Sequence, residues 1–162
     1  MSERLPLLAL NSATTLVERL LPEREPNRET YASLSALMEI LRAGDNWISS
    51  YVKWELGLLN QLGYGLDLTK CAATGSTEEL IFISPRTGCA VSAGAGAPYR
   101  EKLFALPLFF RSDVATASAE DIQTGLNITG HFLARCAEDA DAGNIPEARG
   151  RFMDGITREA KK

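Results

Sequence analysis

Asp45-Asn46-Trp47-Ile48-Ser49-Ser50-Tyr51-Val52-Lys53-Trp54-Glu55-Leu56-Gly57-Leu58-Leu59-Asn60-Gln61-Leu62-Gly63 is the stretch that decides the fold. Trp47, Ile48, Tyr51, Trp54, Leu58, Leu59 and Leu62 recur at helical spacing and put apolar groups round much of the circumference. A helix that is apolar on most sides is central in a bundle. Asp45 is placed to cap its start, and Gly63 to end it where a left-handed residue is wanted.

Toward the N-terminus, Leu7, Leu8, Leu16, Val17, Leu20 and Leu21 predict a first helix, with Pro6 suited to its first turn. Pro22 and Pro26 break that pattern around Glu23-Arg24-Glu25. Asn27 then caps a second helix that should bury Tyr31, Leu34, Leu37, Met38 and Leu41 and stop at Gly44. Toward the C-terminus the character changes. Leu80-Ile81-Phe82-Ile83 and Cys89-Ala90-Val91 are β-prone, and Ser84-Pro85-Arg86-Thr87-Gly88 supplies turn chemistry between them. Gly94, Gly96 and Pro98 close the hairpin, with a short helix expected from Pro98 to Phe104. Ser118 and Asp121 form a weak capping box for a helix that turns Ile122, Leu126, Thr129, Leu133 and Cys136 inward. Asn144-Ile145-Pro146 opens a last helix, with Ala148, Phe152 and Ile156 inward and Arg149, Arg151 and Arg158 on its other face. The expected fold is mainly α: a helical bundle with an inserted small β-hairpin. Residues 1–66 hold the first bundle helices, 67–97 the hairpin module and 98–162 the remaining helices, as one compact unit.

The 162 residues suffice for one domain, and 45% hydrophobic content is enough to fill a core. A net charge of −4 runs against a chain whose main task is neutralising phosphates, although a local basic face is compatible with it. Cys71, Cys89 and Cys136 are odd in number and widely spaced, which argues for a reducing compartment rather than a disulfide framework. There is no long apolar run and no signal-peptide layout at Met1-Ser2-Glu3-Arg4-Leu5-Pro6, so a cytoplasmic chain without a membrane partner is expected. The lack of a coiled-coil repeat makes a monomer the expectation.

Catalytic motifs are missing. A nucleophilic Cys71 or Cys89 would need His131, the one histidine, as its base, and neither cysteine has an elbow motif. His131 is better read as packing against, or hydrogen-bonding to, a neighbouring helix. Gly94-Ala95-Gly96 lacks the Lys-Ser/Thr of a phosphate loop. Glu78-Glu79 and Glu138-Asp139-Ala140-Asp141 read as solvated charge rather than a magnesium site. Leu103 to Phe110 is apolar but interrupted by Pro107, so it cannot be one continuous helix. It is expected to be core anchoring the hairpin module on the bundle or, where exposed, a partner-binding patch.

Four stretches in order resemble one family. They are Leu20-Leu21-Pro22-Glu23-Arg24-Glu25-Pro26; Trp54-Glu55-Leu56-Gly57-Leu58-Leu59-Asn60-Gln61-Leu62-Gly63-Tyr64-Gly65; Cys71 through Gly75 with Phe82 to Gly88; and Thr129-Gly130-His131-Phe132-Leu133. Together they resemble the C-terminal helical portion of RecO, the bacterial DNA repair and recombination mediator, from roughly Leu7 to Ile156. That resemblance implies an N-terminal OB-fold domain carrying most of the DNA contact, and nothing here reads as five short strands before the helices. It also implies a finger module holding zinc through two CxxC pairs. Aligned on the flanking residues, those positions are Cys71, Thr74, Ser92 and Ala95. One thiolate cannot replace four ligands in a tetrahedral site, so a degenerate finger without zinc is expected.

The function implied by the resemblance is that of a non-enzymatic adaptor. It would recognise the acidic, apolar-tipped C-terminal tail of single-strand-binding protein and, with RecR, help load RecA, near the nucleoid during repair. Such a tail needs an apolar pocket rimmed by a cation that takes its terminal carboxylate. Lys53 is the candidate cation, and Trp54, Leu56 and Leu59 the candidate wall; the competing reading is that the leucines are ordinary core and Lys53 is simply solvated. Arg149, Arg151 and Arg158 are candidates for phosphate contacts, along with Lys161 and Lys162; equally, basic residues near a helix C-terminus favour the macrodipole. The rival readings are a scaffold for the OB-fold domain with no binding site of its own, and a small enzyme or metal-dependent nuclease.

Overall fold

The computed structural model describes residues 4–22, 27–113 and 116–161, so the charged turn at 23–26 and residue 162 lie outside it. At its centre is the expected helix, α3 (Trp47–Gln61) in an order that starts with α1 (Arg4–Leu20) and α2 (Arg28–Ala43). Trp47, Tyr51, Val52, Trp54, Glu55, Leu58 and Leu59 of α3 are all buried, which is why its apolar residues are spread round the axis. Its start is not capped as expected. The N-cap position is Asn46, at φ 47° with no side-chain bond, and Asp45 is exposed. Gly63 does take the left-handed conformation, at φ 84°.

In α2 the Asn27 cap is present: its Oδ1 accepts from Thr30 N–H at 3.0 Å. Only Leu37 and Leu41 of the five residues expected inward are buried; Tyr31 is 76% exposed and Met38 is exposed too. Contact with α1 and α3 covers just one narrow stripe of α2. In α1 the inward stripe is Leu5, Ala9, Ser12, Ala13, Leu16 and Leu20, and Leu7 faces solvent. Small side chains in that stripe let the last helix, α6 (Glu147–Glu159), lie close against α1. Gly155 serves the same end, since a Cβ there would sit 2.8 Å from Leu5 Cδ1.

The hairpin strands are β1 (Leu80–Ile83) and β2 (Ala90–Ser92), and a third strand, β3 (Phe104–Ala105), pairs with the far side of β1. The sheet is antiparallel in the order β2-β1-β3. The helix expected from Pro98 to Phe104 is therefore shorter. One α-helical turn, α4 (Ala93–Gly96), leads into 3-10 turns over Ala97–Lys102, and the chain then extends into β3. The free backbone groups of β1's outer edge draw it into that strand, as the bond from Leu106 N–H to Ile81 O at 2.8 Å shows. A small satellite core of Cys71, Leu80, Ala90 and Val91 fills this module.

The module docks on α5 (Ala119–Asp139), whose capping box is complete: Ser118 Oγ accepts from Asp121 N–H and Asp121 Oδ2 from Ser118 N–H. His131 Nε2 donates to Pro85 O at 2.8 Å, and Arg135 Nη1 donates to Pro85 O and Arg86 O. The partner of His131 is thus the β1–β2 turn and not another helix. Leu126, Thr129, Leu133 and Cys136 are buried as expected.

Arg149 is where the structure overturns the expectation most sharply. It is not on the outer face of α6 but 5% exposed in the core. Its Nε donates to Glu55 Oε1 at 2.8 Å, and its Nη2 to Glu55 Oε2 at 3.0 Å, Leu126 O at 2.7 Å and Thr129 Oγ1 at 3.1 Å. Thr129 Oγ1 in turn donates to Glu55 Oε2 at 2.5 Å. Gly130 leaves room for the guanidinium, because a Cβ there would lie 2.8 Å from Arg149 Nη1. Burial acts to lower the Arg149 pKa, but Glu55 beside it more than offsets this and the net shift is upward. Next to the pair, Ser12 and Tyr51 share a 2.7 Å hydroxyl hydrogen bond, and burial pushes the Tyr51 pKa up. Removing one partner of a buried ion pair strands the other charge. Arg149→Ala should lower unfolding free energy by about 3–5 kcal/mol in urea denaturation, whereas Arg151→Ala, at an exposed site, should change it by less than about 0.5 kcal/mol.

Candidate functional site

Lys53 stands where α3 meets the segment entering α5. Its Nζ donates to Asp113 Oδ1 at 2.6 Å and to Ser112 O at 3.3 Å. The Lys53 side chain is 32% exposed and that of Asp113 99%. The hydrogen bond from Lys53, and then its charge, hold the Asp113 carboxyl below the usual carboxylate range. Both residues line a groove of about 750 Å³ whose apolar walls include Ile48, Phe109, Ala117 and Ile122. Three elements build it: the first turns of α3, the 3-10 turn Leu108–Phe110 and the first turn of α5. A Cβ on Gly125 would come within 3.0 Å of Phe109 Cζ and Val52 Cγ1, so that glycine permits the close packing behind the groove. Trp47 also lines the groove, and its indole Nε1 is buried with no hydrogen-bond partner among the described residues.

The wall expected from sequence is a different set of residues. Trp54 is buried and donates its Nε1–H to Ser33 Oγ at 3.3 Å; Leu59 is wholly buried; Leu56 is half-buried. A helical step of about 100° per residue turns Trp54 and Leu59 about 100° and 120° away from Lys53. Only Lys53 of the four candidates lines the groove. The apolar stretch containing Phe109 was visible in the sequence, but its own pattern is mixed: Pro107 and Phe109 are buried and Leu108 is 78% exposed. Asp113 carried no signal, because its partner is 60 residues away.

Arg151 and Arg158 are exposed and line a second cleft, of about 330 Å³, with Leu5 and Leu8. Asp154 and Glu159 line it too, so the cleft is of mixed charge. Arg151 and Glu147 approach only to 3.7 Å, both well exposed. Arg149, held in the core, is not available to a phosphate.

The four finger positions do come together. Cys71 Sγ accepts from Ser92 N–H at 3.3 Å, and hydrogen bonds with Ser92 and then Thr74 lower its thiol pKa to about 6. Ser92 Oγ accepts from Ala95 N–H at 3.5 Å, as the N-cap of α4. One sulfur, two hydroxyls and a methyl group do not fit a tetrahedral structural zinc site. Among the described residues no three or more of His, Cys, Asp and Glu are grouped to hold a metal ion. Cys89, half-buried, directs its thiol toward Thr87 O at 3.8 Å. Tyr64 donates its hydroxyl hydrogen bond to Asp139, which pushes the Tyr64 pKa up to about 12.

What these features define is a helical bundle bearing a finger-like antiparallel sheet and a groove of mixed lining with Lys53 and Asp113 at its edge. Known proteins make the class specific. The family model described as "Recombination protein O C terminal" matches residues 1–140. The chain is 42% identical over 159 residues to the DNA repair protein RecO of Caulobacter vibrioides, covering 98% of this chain and 65% of that protein. It is 46% identical over 156 residues to that of Rhodospirillum centenum (95% and 62%), and 45% over 161 residues to that of a Ruegeria species (98% and 66%). The chain belongs to the RecO family. It spans a little under two thirds of the length of these curated relatives. No solved structure matches it. Among the described residues no helix is long and apolar enough to cross a membrane.

A metal bound to the native state would raise its stability by mass action. Incubation with EDTA should leave the melting temperature of this chain unchanged, and elemental analysis of the purified chain should show no stoichiometric zinc.

Proposed function

We propose that this chain acts in DNA repair and homologous recombination as a non-enzymatic recombination-mediator module. In this reading the Lys53 groove seats the acidic, apolar-tipped C-terminal tail of single-strand-binding protein, and the chain assists RecA loading together with RecR. Family membership supports the repair role. One observation carries the docking role: the Lys53 ammonium holds a carboxylate at the edge of a groove whose mixed lining includes the apolar Ile48 and Ala117. A peptide that ends in an apolar side chain and a free carboxylate matches both halves of that arrangement.

The module makes and breaks no bond; it works by exchanging one set of contacts on coated single-stranded DNA for another. DNA contact lies mainly in an OB-fold domain, with Arg151 and Arg158 adding phosphate contacts from this portion. The chain works as a zinc-free monomer in the bacterial cytoplasm, at the nucleoid during repair.

Fluorescence anisotropy with a labelled tail peptide tests the docking role. Lys53→Glu should weaken binding by about tenfold or more, since a hydrogen bond to a charged group is worth roughly 1.5–3 kcal/mol. A folded chain that binds no peptide would favour the scaffold role for an OB-fold domain instead. For DNA, Arg151→Gln with Arg158→Gln should weaken binding evenly across sequences and flatten its salt dependence by roughly one unit of log–log slope per arginine.

A further inference from the structure

Lys53 is partly occupied. Of the three N–H bonds of an ammonium, one goes to the Ser112 carbonyl and one to the Asp113 carboxylate. The two contacts differ in kind. The carbonyl belongs to the backbone where the chain passes the groove, and it keeps Lys53 in place. The carboxylate is 99% exposed, stands fully in water and can swing away without breaking any packing. It also lines the groove itself. An incoming carboxylate directed at Lys53 would meet a like charge on the same ammonium, and repulsion between them disfavours joint occupancy.

We propose that Asp113 is an internal competitor for the partner's terminal carboxylate: it holds Lys53 when the groove is free and must leave for an acidic, apolar-tipped C-terminal peptide to seat. This rests on the docking role proposed above. It makes the groove selective as well as attractive. An anion that brings only charge exchanges one exposed ion pair for another and gains little. A peptide that also buries an apolar terminus against Ile48 and Ala117, the half-buried apolar residues of the lining, gains the additional free energy that removes Asp113. Ser112 holds the ammonium throughout, so the cation stays positioned between the two states.

The test is a double-mutant cycle on the whole chain, read by anisotropy at low salt with the tail peptide bearing either a free or an amidated C-terminus. Asp113→Asn keeps the side-chain shape at an exposed site, and circular dichroism checks its fold. It should tighten the free-carboxylate peptide by roughly two- to fivefold, the range of an exposed ion pair. The amidated peptide should show no gain, and neither peptide should gain in a Lys53→Gln background. Equal affinity of Asp113→Asn and the parent chain for the free-carboxylate peptide overturns the competitor role and leaves docking intact. A gain that persists with the amide, or without Lys53, also overturns it, because it would report general charge reduction. Absence of peptide binding in every folded variant overturns the docking role itself, and the competitor with it.

Discussion

The bidentate pair between Glu55 and Arg149 constrains the rest of this structure. Two full charges lie in the bundle core, and each is matched: Glu55 by Arg149 and Thr129, Arg149 by Glu55, Thr129 and the Leu126 carbonyl. Those groups come from α3, α5 and α6, so one cluster ties three helices together. A buried pair adds little net stability over apolar residues of the same size. Its effect is on specificity. A slide of α6 along the bundle, or a rotation of α5, would separate a guanidinium from a carboxylate where no water can take over. Gly130 and Gly155 belong to the same constraint, because the first makes room for the guanidinium and the second brings α6 close to α1.

With α3 and α5 held in this way, both surface features follow. The sheet is carried by α5 through His131 and Arg135, which bind the carbonyls of the β1–β2 turn. The groove opens where α3 begins, bounded by Phe109 and by the start of α5 at its complete capping box. Within the hairpin module Cys71, Thr74, Ser92 and Ala95 lie close together: Ser92 N–H bonds the Cys71 sulfur and Ser92 Oγ caps α4. A satellite core and the attachment to α5 help to hold the strands.

The motifs behind the family resemblance now have physical roles. In Trp54-Glu55, the tryptophan packs against α2 through Ser33 and the glutamate is the buried acid. In Thr129-Gly130-His131, the three residues bond Glu55, clear space for Arg149 and dock the hairpin turn. Helical spacing already sets Arg149 on the face of Phe152 and Ile156, three and seven residues on, and about 160° from Arg151, so grouping the arginines on one outer face does not fit the helix. What spacing does not give is the partner, Glu55, 94 residues earlier.

What the sequence determined by itself was everything set by local periodicity and local chemistry. The central helix and its glycine stop, the Asn27 cap, the Ser118–Asp121 capping box and the hairpin with its turn all rest on neighbours within a few residues. Tertiary structure alone decided the third strand, the exposed side of α2, the pairing of Arg149 with Glu55, the walls of the groove and the Asp113 contact. Each of these depends on a partner tens of residues away. Propensity and spacing describe how a segment can fold, but not which surface it will meet.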